Sequence, residues 1–249
     1  MEENNKKRDF LLPISIIVAA LLIASSLIYS AGKNAAPGSG SQLTGTVSDA
    51  AAPSPTPSAS NARPVDKNDH IRGSSKADVI VIEYSDLECP YCKQFHGTMK
   101  QVLDEYGDKV AWVYRQNPIA SLHSKAPIES EASECVAELG GNDAFWTYID
   151  RIFEVSPTNN GLDLALLPDL AEEVGVNRAR FEACLESGRH KNRISKDIQD
   201  AQNAGGRGTP YSIVINKAGD AYTIPGALPF ESQDPARPSV KSIIDQALK

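Results

Sequence analysis

Val79-Ile80-Val81-Ile82-Glu83-Tyr84-Ser85-Asp86-Leu87-Glu88-Cys89-Pro90-Tyr91-Cys92, running on to Tyr106, is the stretch whose reading decides the fold. Val79 to Ile82 is β-branched throughout and reads as a buried strand ending at Glu83 and Tyr84. Ser85 to Glu88 is a short connection. Pro90 fits the first turn of a helix, where its missing N–H would have no partner in any case. Phe95, Met99, Val102, Leu103 and Tyr106 then recur at helical spacing, and Gly107 supplies a stop. Cys92 falls on that apolar face and is expected to be buried, while Cys89 at the helix start is expected to be reachable. Two cysteines three apart at a helix N-terminus, directly after a strand, form a site for thiol–disulfide exchange. Unpaired backbone N–H groups and the helix dipole there favour a thiolate on Cys89, and Cys92 is close enough to resolve a mixed disulfide. A zinc site would need about four ligands. Cys135 and Cys184 stand alone and no histidine is spaced to complete one, so no metal is expected.

The chain has 249 residues, 41% of them hydrophobic, but not all of it reads as globular. Residues 10–31 form a run of 22 without a charge, long enough to span a bilayer. Lys6-Lys7-Arg8 precede it and only Lys33 follows closely, which places residues 1–9 in the cytoplasm and the remainder outside. A cleaved signal peptide is the alternative, although Tyr29 spoils the small-residue site ending at Ala31. Residues 32–64 are rich in Ala, Pro and Ser and read as a tether. Residues 65–249 are left as the folded domain. Residues 1–62 carry four basic and four acidic side chains, so the net charge of −7 belongs to the chain that follows them, which argues against nucleic acid and lends no support to binding anionic lipid headgroups. Four cysteines suit an oxidising compartment.

Beyond the first helix, Lys109 to Arg115 alternates as a second strand and Gln116-Asn117-Pro118 breaks it. Helical patterns follow from Pro127 to Leu139, from Asp143 to Phe153, from Leu166 to Val174, after an Asn177 cap, and from His190 to Ala204. Strand character resumes at Tyr211 to Asn216, with a hairpin partner at Ala221 to Ile224 and a final helix over Val240 to Leu248. The acids scattered over the helical block read as a solvated face. Tyr84, Trp112, Phe145 and Trp146 read as core. His70, His123 and His190 show no partner pattern.

Glu83 to Cys92, followed some 115 residues later by Gly208-Thr209-Pro210, resembles the DsbA-type thioredoxin-fold disulfide oxidoreductases. The resemblance covers roughly Lys76 to Lys249. It implies an α/β thioredoxin fold with a helical subdomain inserted at about 119–206, and no cofactor. It also implies that Cys89 attacks and Cys92 resolves, flanked by Pro90 and Tyr91. The Thr209–Pro210 bond should be cis and pack on the pair, with Thr209 backbone joining an extended substrate. Glu83 matches a buried acid able to relay a proton to Cys92; a solvated strand-end carboxylate is the alternative. Related proteins carry a second disulfide in the insertion, so Cys135 and Cys184 form a bridge or else remain two buried thiols.

Strongly oxidising members have Pro-His between their cysteines. Here Tyr91 replaces the histidine, Glu88 should oppose charge on Cys89, and His96 is expected to face solvent, so a milder oxidant is expected. The implied role is to donate disulfides to thiol-containing secreted or envelope proteins, with recycling by a membrane partner of the DsbB or vitamin K epoxide reductase type. A disulfide reductase or isomerase, and a non-catalytic peptide-binding domain, are the alternatives.

Overall fold

The β-branched run from Val79 becomes the second strand of a five-stranded sheet in the computed structural model, which describes residues 61–234 and 236–249. The expected anchor at 10–31 lies outside the described residues, as does most of the tether. Among the described residues no helix is long and apolar enough to cross a membrane. The elements are β1 (His70–Arg72), β2 (Val79–Ser85), α1 (Pro90–Tyr106), β3 (Val110–Gln116), α2 (Ala126–Val155), α3 (Leu167–Glu173), α4 (Arg178–Ser187), α5 (Lys191–Asn203), β4 (Tyr211–Asn216), β5 (Ala221–Pro225) and α6 (Val240–Ala247). The sheet order is β1-β3-β2-β4-β5, with only β2 and β3 parallel. This is the thioredoxin arrangement, with α2 to α5 inserted between β3 and β4. β1 has no counterpart in the sequence reading, because three residues are too few to show an alternation.

Strand alternation sorts the two faces of the sheet. Val79 and Val81 of β2, with Val110, Trp112 and Tyr114 of β3, pack into one core with Phe95, Met99 and Val102 of α1 and Ile243 and Ile244 of α6. Ile82, Tyr84, Val113 and Ile213 form the opposite cluster with Ala201 of α5. Glu83 is in step with Val79 and Val81 and so belongs to the α1 side.

The helical patterns are all present, with one adjustment. The two runs expected on either side of Gly140-Gly141 join as α2, broken at Gly141, whose φ of 83° an L side chain rarely adopts. Asn177 caps α4 by accepting from Arg180 N. Residues 61–64, at the end of the expected tether, are held on the domain: the Arg63 N–H donates to Asp200 and the Arg115 guanidinium donates to the carbonyls of Arg63 and Pro64. Most acids of the insertion, Glu138, Asp143, Glu154, Asp169, Glu172 and Glu182 among them, are exposed as expected, but five depart from the solvated face. Glu129, Glu131, Glu134, Asp197 and Asp200 are buried, several against partners far away in sequence, such as His70 and Arg193 on Glu134.

Cys135 and Cys184 are disulfide-bonded and tie α2 to α4 across a separation of 49 residues. Closing a loop of that length restricts the unfolded chain by about 4 kcal/mol in the chain-entropy treatment. Cys135→Ala combined with Cys184→Ala should lower the unfolding free energy by about that amount in urea titrations. A loss under about 1 kcal/mol would show that packing alone closes the insertion.

Candidate active site

Cys89 is the N-cap of α1, with extended backbone, and Pro90 occupies the first helical turn. The preceding turn is tight: the Cys89 N–H donates to the Asp86 carbonyl at 3.1 Å, and the Glu88 N–H donates to the Asp86 carboxylate at 2.8 Å. Cys89 is 5% exposed and lines an open groove, whereas Cys92 is wholly buried and absent from that lining. The pair is in the dithiol form. Thr209–Pro210 is a cis peptide, and the Cys89 thiol donates to the Thr209 carbonyl at 3.5 Å, joining residues 120 apart in sequence. Tyr91 is exposed beside them.

The two thiols are electrostatically unequal. A hydrogen bond from Cys92 is the main cause lowering the Cys89 pKa to about 6, against its partial burial; backbone N–H groups of Cys92 and Tyr91 and the Thr209 hydroxyl add to it. Burial pushes the Cys92 thiol well above the ordinary thiol range, and the charges of Cys89 and Glu83 push the same way. The backbone N–H of Asp86 points at Cys92 Sγ at 3.4 Å.

Glu83 is fully buried on the α1 side of β2. Its Oε2 accepts from the indole N–H of Trp112 at 2.9 Å, while Oε1 has no hydrogen-bond partner. Burial is the chief cause raising its pKa to about 7, with the Cys89 charge adding to the rise and Ser85 and Trp112 opposing it. The alternative of a solvated strand end does not hold. Trp112 is itself fixed between the rings of His96 at 4.9 Å and Trp146 at 4.7 Å, and the Arg72 guanidinium lies 4.5 Å from the Trp146 ring centre.

Two neighbours differ from the sequence reading. His96 is buried rather than solvent-facing, its Nε2 2.5 Å from Asp150, because Asp150 and Arg72 form an ion pair that closes over it. Glu88 does not face Cys89. Its buried carboxylate turns inward to accept from the backbone N–H groups of Gly161 and Leu162, and it is not among the main causes of the Cys89 shift. Sequence reasoning passed over Glu129, whose carboxyl is raised to about 9 by burial and by Glu88 and Asp86. It also passed over Arg207 at the groove edge. His123, partnerless in the sequence, has its Nδ1 2.9 Å from Asp86.

Residues 65–221 match the family model described as Thioredoxin. Among solved structures, DsbA2 of Pseudomonas aeruginosa aligns with a TM-score of 0.59 at 27% identity, covering 74% of this chain and 96% of that one. BdbD from Bacillus subtilis aligns with a TM-score of 0.59 at 21% identity, covering 76% and 96%. Among curated proteins, the Na(+)/H(+) antiporter NhaA 3 of Salinispora tropica is 35% identical over 152 residues, 61% of this chain and 22% of that protein. NhaA of Herminiimonas arsenicoxydans is 32% identical over 170 residues, 66% and 26%. The match thus takes in only about a quarter of either antiporter.

A glutamate titrates near 4.3 in an unfolded chain. With Glu83 at about 7 in the fold, the native state binds more protons than the unfolded state between those values. Its contribution to stability therefore falls as pH rises through that window. Glu83→Gln should exceed the parent dithiol protein by about 3 kcal/mol more at pH 8 than near pH 4, measured by urea unfolding across pH. Trp112→Phe, which removes a donor to the carboxylate, should move the midpoint of the parent's Glu83-linked change upward. A difference between parent and Glu83→Gln that does not vary with pH would sink the assignment.

Proposed function

We propose, from the premise that this chain belongs to the thioredoxin family, that it is a DsbA-like thiol–disulfide oxidoreductase that introduces disulfides into secreted or envelope proteins. The observation that carries this reading is the unequal pair: Cys89 is depressed to about 6 at the groove, and Cys92 is raised beneath it. In the oxidised form a substrate thiolate attacks Cys89 Sγ, the Cys89–Cys92 bond breaks, and Cys92 departs as a thiolate. Glu83, buried in the same layer and raised chiefly by its burial, is the acid that in its protonated form can give that thiolate a proton. A second substrate thiolate then attacks the substrate sulfur of the mixed disulfide, and Cys89 leaves as a stabilised thiolate. Two substrate thiols become a disulfide while the enzyme disulfide becomes a dithiol, so the electrons balance.

A low Cys89 pKa favours the reduced enzyme and makes the protein an oxidant. The value of about 6 lies between those of thioredoxin, about 7, and DsbA, about 3.5. A milder oxidant than the Pro-His members follows, with Tyr91 offering no ring nitrogen to Cys89. Reoxidation falls to a membrane partner of the DsbB or vitamin K epoxide reductase type. Residues 10–31 would hold the domain at the outer face of the membrane as an uncleaved, single-pass anchor. The ion transport named for the antiporters is not carried across, since so little of them is matched.

The reduction potential of the Cys89–Cys92 pair, by equilibration with glutathione, should fall between about −120 and −230 mV. A value near thioredoxin's, about −270 mV, would reverse the direction to reductase or isomerase. Cys89→Ser should abolish disulfide transfer to a reduced protein substrate. A peptide-binding role without redox chemistry predicts instead that this variant keeps its physiological activity.

A further inference from the structure

The groove beside Cys89 has a volume of about 480 Å³, and its lining is unusual for this chain. Tyr91 and Leu122, the two most exposed large apolar side chains among the described residues at 63% and 66%, both line it, as does Ile119. Two such residues on one rim leave an apolar wall open to solvent. The charges are just as selective. The chain carries 32 acidic and 25 basic residues, yet no carboxylate lines the groove.

Asp86 and Glu88, the acids just before Cys89 in the chain, are turned away. Asp86 is fully buried, accepting from the N–H groups of Glu88 and Ile119 and paired with His123. Glu88 is held by Gly161 and Leu162. Arg207 is therefore the one permanently charged side chain at the groove, and it is exposed. Among the described residues it has no ion pair or side-chain hydrogen bond.

Arg207 is also firmly placed. It follows Gly205 and Gly206 in a turn closed by the Gly206 N–H donating to the Ala201 carbonyl at 2.8 Å and the Tyr211 hydroxyl donating to the Ala204 carbonyl at 2.8 Å. A Cβ at Gly206 would sit 3.0 Å from the Ala201 carbonyl and from the Tyr211 ring, tight enough that a neighbour would have to give, so the backbone there lies close to its neighbours. Thr209, two residues on, presents its carbonyl to Cys89.

We infer that the acceptor segments this groove takes are extended peptides with an acidic side chain two positions from the reacting cysteine and an apolar side chain on the other flank. This deepens the oxidoreductase reading above and rests on it. A substrate strand lying along Thr209 brings its cysteine to Cys89. Because alternate residues of a strand share a face at about 3.3 Å per residue, the position two residues away falls opposite Arg207. The other flank runs over Leu122, Ile119 and the ring of Tyr91, which offer apolar contact area. A basic residue opposite Arg207 would meet like charge with no neighbouring carboxylate to relieve it.

The test uses the oxidised full-length chain and three synthetic peptides, each with two cysteines, that differ only in having Glu, Gln or Lys two positions to either side of the first cysteine. Rate constants for disulfide transfer are measured at low salt and at about 0.5 M salt, where exposed charge pairs are screened within a few ångströms. The Glu peptide should react about fivefold faster than the Lys peptide, with Gln between them, and the spread should shrink at high salt. Arg207→Glu should invert the order, a gain for the Lys peptide that misfolding cannot produce. Equal rates for the three peptides, or the same order in Arg207→Glu, would overturn the inference while leaving the redox reading intact. Failure of all three peptides to be oxidised would overturn both.

Discussion

A single carboxyl group buried in the apolar layer between β2 and α1 constrains everything around it. Strand alternation dictates that Glu83 shares a face with Val79 and Val81, so it cannot reach solvent without breaking the register that pairs β2 with β3 and β4. A charged carboxylate in that layer is costly unless it is neutralised or hydrogen-bonded. The fold does a little of each: it raises the carboxyl to about 7 and supplies one strong donor, Trp112. That indole must then be held, and His96, Trp146 and the Arg72–Asp150 pair hold it. Trp146 belongs to α2 and Arg72 to β1, so the position of the helical insertion and of the edge strand is tied to the active-site acid.

The opposite face of the sheet answers a different demand. Arg115, fully buried, donates to Asp69 at 2.9 Å and to Asp200 at 2.7 Å, and Asp200 also accepts from the Tyr84 hydroxyl at 2.5 Å. Removing one member of such a group would leave an uncompensated buried charge, so the network fixes geometry more than it adds net stability. It clamps α5 and the segment at 61–69 to β3. The turn carrying Arg207 leads directly out of α5, which gives the Thr209–Pro210 segment a rigid approach to Cys89.

The strand and helix that bracket Cys89 and Cys92 and the inserted helices were legible in the sequence, since each rests on local periodicity, whereas the Cys135–Cys184 bridge was reached only through the family resemblance. His96 was misread for a reason that can be stated. It lies four residues after Cys92 and three before Met99, which is the buried face by helical geometry, but its polarity outweighed its position. The buried acids were missed because the groups that act on them are distant: Glu134 meets His70 and Arg193, and Glu129 feels the charges of Glu88 and Asp86. Composition alone assigns such residues to solvent. Glu88 shows the converse error, since adjacency to Cys89 in the chain says nothing of where a side chain points once Gly161 and Leu162 offer it two N–H groups.

The proton inventory of the site follows from these placements. Cys89 as a thiolate raises both Glu83 and Cys92, so the layer beneath the groove cannot readily take a second negative charge once the first has formed. In the reduced protein the charge rests on Cys89, nearest the groove and the helix N-terminus, while Cys92 keeps its proton. In the oxidised protein neither sulfur is charged, and Glu83 is released from the Cys89 charge that raises it. Each turn of exchange therefore couples electron transfer at the sulfurs to the affinity of one buried carboxyl for its proton. The Trp112 hydrogen bond works against that rise and limits how far the affinity climbs.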